Sequence, residues 1–157
     1  MDYIKYLRRA NEIARQSREN GNTPFGAVLV SKGGEILMEQ GNAEKELGPT
    51  AHAELELARH ASQTYPKEYL KDCTLVTTVE PCPMCTGAIY WTNIGHIVYG
   101  ITEQQLLEMT GSDDKNPTFS MGADKVIEAG QKFITLEGPF EEIAPEIIEV
   151  HRGFWTK

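Results

Sequence analysis

Four side chains in two short segments hold the chemistry of this sequence: His52 and Glu54 in His52-Ala53-Glu54, and Cys82 and Cys85 in Pro81-Cys82-Pro83-Met84-Cys85. One imidazole and two thiols supply three ligands for a zinc ion and leave a fourth position for water. A zinc site of that kind lowers the pKa of its bound water to about 7, so hydroxide is available at neutral pH. The Glu54 carboxylate, two residues beyond the histidine, is then placed to move protons for it. The set predicts hydrolysis at a ring carbon that bears an amine.

Each half alone has a plainer explanation. A single Cys-x-x-Cys is also a redox pair or half of a structural zinc site. A structural site closes with four N or S ligands, and Cys73 is the remaining thiol, at the start of a strand. A lone His-x-Glu occurs by chance in many helices. The two halves together, each opening a helix, point to a catalytic zinc.

The elements that must position these groups follow from hydrophobic spacing. Ile4, Leu7, Ala10 and Ala14 lie on one face of a helix that ends near Gly21. Phe25 to Val30 and Glu35 to Gln40 read as two strands joined at Lys32-Gly33-Gly34. A polar loop, Asn42 to Thr50, leads to a helix with Thr50 as its expected N-cap, running to about Thr64 before Pro66. Cys73 to Val79 is rich in β-branched residues and reads as a central strand ended by Pro81. A helix from Pro83 to Thr92 follows, with proline suited to its first turn. Beyond it the expected elements are a strand over His96 to Gly100, a short helix over Thr102 to Met109 and an exposed loop over Gly111 to Pro117. Helix over Lys125 to Ala129, strand over Phe133 to Leu136 and helix over Glu146 to Phe154 complete the chain. Strands alternating with helices predict one α/β domain over residues 1–157, with helices on both faces of a sheet.

Both motifs fall in the first turn of a helix, where unpaired N–H groups carry partial positive charge and favour thiolates. Cys82 and Cys85, three apart, share a helix face, whereas His52 and Glu54 do not. Glu54 is therefore a proton shuttle rather than a fourth ligand.

Composition narrows the class. The 157 residues carry a formal net charge of -8, which lowers the odds of a nucleic-acid-binding face. No apolar run of about 18 residues is present for a membrane span, and the N-terminus lacks the pattern of a secretory signal. Three cysteines, two of them in one Cys-x-x-Cys, indicate metal or redox chemistry in a reducing compartment, and the expected location is the cytoplasm.

With these motifs in view, the chain resembles the cytidine deaminase-like superfamily of zinc enzymes, and within it the guanine deaminase and tRNA adenosine deaminase branch. The segments that carry the likeness are Pro24-Phe25-Gly26-Ala27-Val28, Pro49-Thr50-Ala51-His52-Ala53-Glu54 and Glu80-Pro81-Cys82-Pro83-Met84-Cys85, extended by Gly87-Ala88-Ile89-Tyr90-Trp91. The likeness runs over residues 3 to 101 and loosens afterwards. It implies a three-layer α-β-α sandwich around a mixed five-stranded sheet, and zinc held by His52, Cys82 and Cys85. It further implies Glu54 as general acid/base and association of two chains, for which Ile89, Trp91 and Ile94 offer apolar surface.

For the substrate, the resemblance places Asn42 as a hydrogen-bonding contact and Phe25 as a stacking surface for a purine; a turn asparagine and a core phenylalanine are the alternatives. Asp113 and Asp114 match an acidic pair of the guanine deaminases, or form a solvated turn. Phe154 and Trp155 match a C-terminal aromatic lid, so that segment 138–157 is expected to cover the site or to swap between chains. The acidic run Glu141 to Glu149 stands where the tRNA-editing branch carries a basic helix, and it would repel phosphate. The expected activity is deamination of a small aminated heterocycle, of the guanine-to-xanthine type, with tRNA adenosine deamination as the alternative. Gly48 and the stretch from Asp113 to Ile134 depart from the family pattern, which leaves another purine, a pterin or a triazine open.

Overall fold

A computed structural model describes residues 2–110 and 117–155. Its elements are α1 (Tyr3–Glu19), β1 (Gly26–Val30), β2 (Ile36–Gly41), α2 (Glu44–Leu47), α3 (Ala53–Thr64), α4 (Lys67–Leu70) and β3 (Thr74–Val79). They continue with α5 (Pro83–Thr92), β4 (His96–Ile101), α6 (Glu103–Thr110), α7 (Ala123–Ala129), β5 (Thr135–Glu137) and α8 (Ala144–His151).

The five strands form one mixed sheet in the order β2-β1-β3-β4-β5. β1 pairs antiparallel with β2 and with β3, while β3–β4 and β4–β5 are parallel. The parallel pairs require crossovers, and these are α5, between β3 and β4, and the α6–α7 stretch, between β4 and β5.

The pleat sends alternate residues to opposite faces, and each face has its own core. Ala27 and Leu29 of β1, Leu75 of β3 and Ile97 of β4 pack under α3 and α5, against Leu57, Ala61 and Ile89. Val28, Val30, Val76 and Val98 point the other way, against Leu7 and Ala10 of α1 and Ile147 of α8. The expected three-layer sandwich is the observed fold. Asp2 starts α1 by accepting the Ile4 N–H at 3.1 Å. Gly26 lets α1 lie directly on β1, since a Cβ there would run into the Ala10 carbonyl and the Ala14 backbone nitrogen.

Several local expectations are corrected. Thr50 is not a cap: the chain stays extended through His52 (φ -69°, ψ 155°), which is itself the N-cap residue of α3. The Asn42–Thr50 loop contains the single turn α2, and α4 follows Pro66; four residues carry too little periodicity to be read. Ile89 and Ile94 are fully buried in the core, so of the three apolar residues expected at a chain–chain contact only Trp91, 75% exposed, is free for one. Among the described residues no helix is long and apolar enough to cross a membrane.

Candidate active site

Two helix starts converge at the C-terminal end of β3. Cys82 is the N-cap residue of α5 and, like His52 at the start of α3, has extended backbone (φ -68°, ψ 169°). Pro83 opens that helix and Cys85 lies in its first turn. A residue just outside a helix aims its side chain across the end rather than along a face. That is how His52 on α3 and two thiols on α5 meet: one ligand atom from each lies within 4.8 Å of the others. His52 Nδ1 is 3.7 Å from Cys82 Sγ, close to the ~3.6 Å edge expected for a tetrahedral zinc with Zn–N near 2.05 Å and Zn–S near 2.3 Å. The donor set and its spacing fit zinc. Cys73 stands apart, its thiol donating to the Tyr69 carbonyl at 3.5 Å.

The electrostatics match that assignment. A hydrogen bond from Cys85 holds the Cys82 thiol well below its usual range and raises Cys85, which burial raises further. The hydrogen bond with Cys82 pushes His52 up to about 9. The cluster thus shares one thiolate among three groups, and a cation would displace the remaining protons. His52 Nε2, on the far side of the ring, lies 3.8 Å from Glu44 Oε2. At that separation the carboxylate is within ion-pair reach of the ring without a hydrogen bond to it, and its Oε2 accepts from Asn42 Nδ2 at 2.7 Å.

Glu54 is the second residue of α3, in its first turn, and is buried. Desolvation raises its pKa, and a hydrogen bond from Thr77 of β3 opposes that rise. The Thr77 hydroxyl is 2.6 Å from Glu54 Oε2 and 3.3 Å from the Gly26 carbonyl. A hydroxyl has one proton and two lone pairs. With Glu54 ionised it donates to the carboxylate; with Glu54 protonated it accepts, and turns its own proton to the Gly26 carbonyl. The carboxyl is therefore held in one place in both protonation states.

His52, Glu54 and Cys82 line a cavity of about 470 Å³, within the roughly 300–1,000 Å³ range of small-molecule sites. Three further carboxyls, Glu44, Glu80 and Glu103, open onto it, and among the described residues no lysine or arginine does.

Residues 1–101 of the 157 match the family described as the cytidine and deoxycytidylate deaminase zinc-binding region. The chain belongs to that family. Zinc is accordingly its cofactor. Over 152 residues the chain is 32% identical to the probable cytosine deaminase of Schizosaccharomyces pombe, covering 97% of this chain and 91% of that protein. The guanine deaminase of Bacillus subtilis is 39% identical over 115 residues, 73% of each chain. Its crystal structure superimposes with a TM-score of 0.62 over 100% of this chain and 98% of that one. A structure from work on A-to-I editing by tRNA:A34 deaminases gives a TM-score of 0.73 at 26% identity, over 94% and 99% of the two chains.

Within this deaminase fold the remaining expected residues fall in different places. Asn42 lines the cavity, but its amide is engaged in the loop: Nδ2 donates to Glu44 Oε2 at 2.7 Å and Oδ1 accepts the Glu44 N–H at 2.9 Å. The turn role and the cavity position coincide, with one amide hydrogen and one acceptor lone pair left for a ligand. Phe25 presents a ring to the cavity and is backed edge-on by His151, with centroids 5.3 Å apart. Trp155 is not among the lining residues. It lies behind Phe25, 6.2 Å between centroids, held by donation of its indole N–H to His151 Nδ1 at 3.0 Å. It supports the wall rather than forming a lid in this chain. Asp113 and Asp114 lie outside the described residues.

Three groups at the site have no counterpart in the expectations from sequence. Glu44 had a weak signal, an Asn-x-Glu in a polar loop. Thr77 is one of three buried threonines of β3, and nothing in the sequence singles it out. Glu103 is the first residue of α6 and carries no motif. Glu80, inside the cysteine motif, anchors the far wall: its two oxygens accept the Glu103 N–H at 3.1 Å and the Ala123 N–H at 2.9 Å.

Replacing Thr77 with valine keeps the shape and removes the hydroxyl. The lowering influence on Glu54 disappears, so its pKa rises, and the acidic limb of the pH–rate profile is expected to move to higher pH. The measurement is kcat against pH for both proteins. A limb that stays in place would show that Thr77 does not tune this carboxyl.

Proposed function

We propose that the chain hydrolytically deaminates a free nucleobase, with conversion of guanine to xanthine as the leading reaction and release of ammonia. The observation that supports a free base is the acidic cavity. Glu44, Glu54, Glu80 and Glu103 line it with no lysine or arginine among the described residues, and four carboxyls facing one cavity disfavour a phosphate-bearing substrate. The formal net charge of -8 works in the same direction. Transfer-RNA adenosine is disfavoured on that ground, although the fold matches that branch as well.

In this reading His52, Cys82 and Cys85 hold zinc, which supplies a water of lowered pKa beside the substrate. Glu54 does the proton work. It takes one proton from that water and gives it to the ring nitrogen next to the amine-bearing carbon. It then takes the second and gives it to the amine, which leaves as ammonia. Water and base thus balance against oxo-base and ammonia, and Glu54 ends as it began. Glu44 faces the His52 ring, Thr77 holds Glu54, and Phe25 offers a face for stacking the base.

Cytosine is the second reading, favoured by the likeness to the probable cytosine deaminase along 97% of this chain. Two chains associating is the further expectation of this reading. Trp91 and Phe133, 75% and 88% exposed, are apolar surface that such a contact would use.

Ammonia release from guanine, cytosine, adenine, guanosine, cytidine and an anticodon stem-loop RNA is the direct test. Turnover of guanine, with none on the RNA, is the expected result. Turnover confined to the RNA would overturn the proposal, and turnover of cytosine alone would establish the second reading.

A further inference from the structure

Buried polar atoms in native proteins nearly always have a partner. Among the described residues, five buried side-chain atoms have none, and three of the five are Thr23 Oγ1, Glu103 Oε2 and Thr118 Oγ1. All three residues line the cavity that holds the zinc donors and Glu54. None belongs to the motifs. Leaving such a group unpaired costs the free energy of its desolvation, and three around one cavity mark a wall whose partners arrive with the ligand.

The Glu103 carboxyl is fixed from its backbone, since its N–H is held by Glu80 Oε1 at 3.1 Å. Burial raises its pKa to about 8, with the Glu54, Cys82 and Glu80 charges adding to the rise. In either protonation state one carboxyl oxygen can accept an N–H. The threonine hydroxyls complement it, because each has a proton to donate.

We infer that Glu103 and the Thr118 and Thr23 hydroxyls read the lactam edge of the base, the ring N–H beside a ring carbonyl. Glu103 accepts the N–H, and a threonine hydroxyl donates to the carbonyl oxygen. Glu103 is therefore a specificity-determining residue for the reaction proposed above, and the inference rests on that reading for its substrate class. In free guanine the lactam N–H adjoins the amine-bearing carbon, and in free cytosine the lactam lies across the ring from the amine. Adenine has no carbonyl, and in cytidine the lactam nitrogen is blocked by the sugar. A site built on a hydrogen-bonding edge rejects analogues that lack it far more strongly than an apolar pocket rejects a changed shape.

The test uses equilibrium binding to the zinc-loaded protein, so it does not depend on turnover. Hypoxanthine carries the lactam and no amine; purine has the same rings and neither group. Wild-type protein is expected to bind hypoxanthine at least about tenfold more tightly than purine, one to two charge-assisted hydrogen bonds corresponding to that ratio or more. In Glu103→Leu the ratio should fall toward one through loss of hypoxanthine affinity alone. Its thermal midpoint should be unchanged or higher, because an unpartnered polar atom has been removed; a residue kept for structure would lose stability instead. Glu103→Gln keeps the size and an acceptor oxygen and should recover part of the ratio. Thr118→Val should lower it independently. A wild-type protein without preference for hypoxanthine would overturn the inference, as would a Glu103→Leu variant with an unchanged ratio. If the bases yield no ammonia but the binding ratio and its loss are observed, the deaminase reading fails and the lactam-reading wall stands.

Discussion

Glu54→Gln is expected to lower kcat by roughly 10²–10⁴, the usual contribution of a positioned general acid/base, with zinc content unchanged. The substitution preserves shape, and the amide oxygen still accepts the Thr77 hydroxyl that lies 2.6 Å from Glu54 Oε2. What is lost is the proton-carrying oxygen in a site where burial raises the pKa of the carboxyl. Zinc remains because the carboxyl is not one of the three clustered donors. Ammonia release and metal content measured on the same preparation check both halves. Turnover within tenfold of wild type would remove Glu54 from the proton path. Loss of zinc together with turnover would make it a ligand instead.

The second large effect concerns Cys85, which is fully buried behind Cys82. Cys85→Ala removes one of three donors and should leave the protein without stoichiometric zinc and with activity at background. The thermal midpoint should fall as well. A ligand present at about 1,000 times its Kd and bound only by the folded state adds roughly 4 kcal/mol, which for a domain of this size is on the order of 10 °C. Chelation of the wild-type protein should reproduce the fall, and added zinc should reverse it. The small cavity left by the missing sulfur is separated from loss of metal by the chelator, which should not change the variant's midpoint. A variant that keeps full zinc and activity would exclude Cys85 from the metal site.

The relation between sequence and site is uneven, for local reasons. The strands and the long helices were legible because β-branched runs, proline and glycine punctuation and the spacing of Leu7 and Ala10 are signals carried by neighbouring residues. The helix that starts after Cys82 was legible to the residue, with Pro83 in its first turn. The start of α3 was misplaced at Thr50 because nothing near it announces that the chain stays extended through His52. The tail shows the same limit. Trp155 is four residues beyond His151 and hydrogen-bonds to it, so the indole follows the direction of α8, behind Phe25 rather than across the cavity.

Glu44, Thr77 and Glu103 were illegible for a different reason. Thr77 meets Glu54 across 23 positions of sequence, between a strand and the helix packed on it. Alternation along β3 states which face a residue takes but not which side chain of α3 stands opposite. Glu103 reaches the cavity only because Glu80, at the end of β3, holds the start of α6 by its backbone N–H.

Short-range chemistry thus pointed to the candidate donors, the metal and the family: a ligand set is a matter of residue type and spacing, and a helix start presents its first residues in a predictable way. The tertiary structure alone decided the proton-holding partner of Glu54, the carboxylate behind His52 and the unpartnered wall opposite. Those contacts join segments whose relative register depends on how two cores pack against one sheet, and no neighbouring residue encodes it.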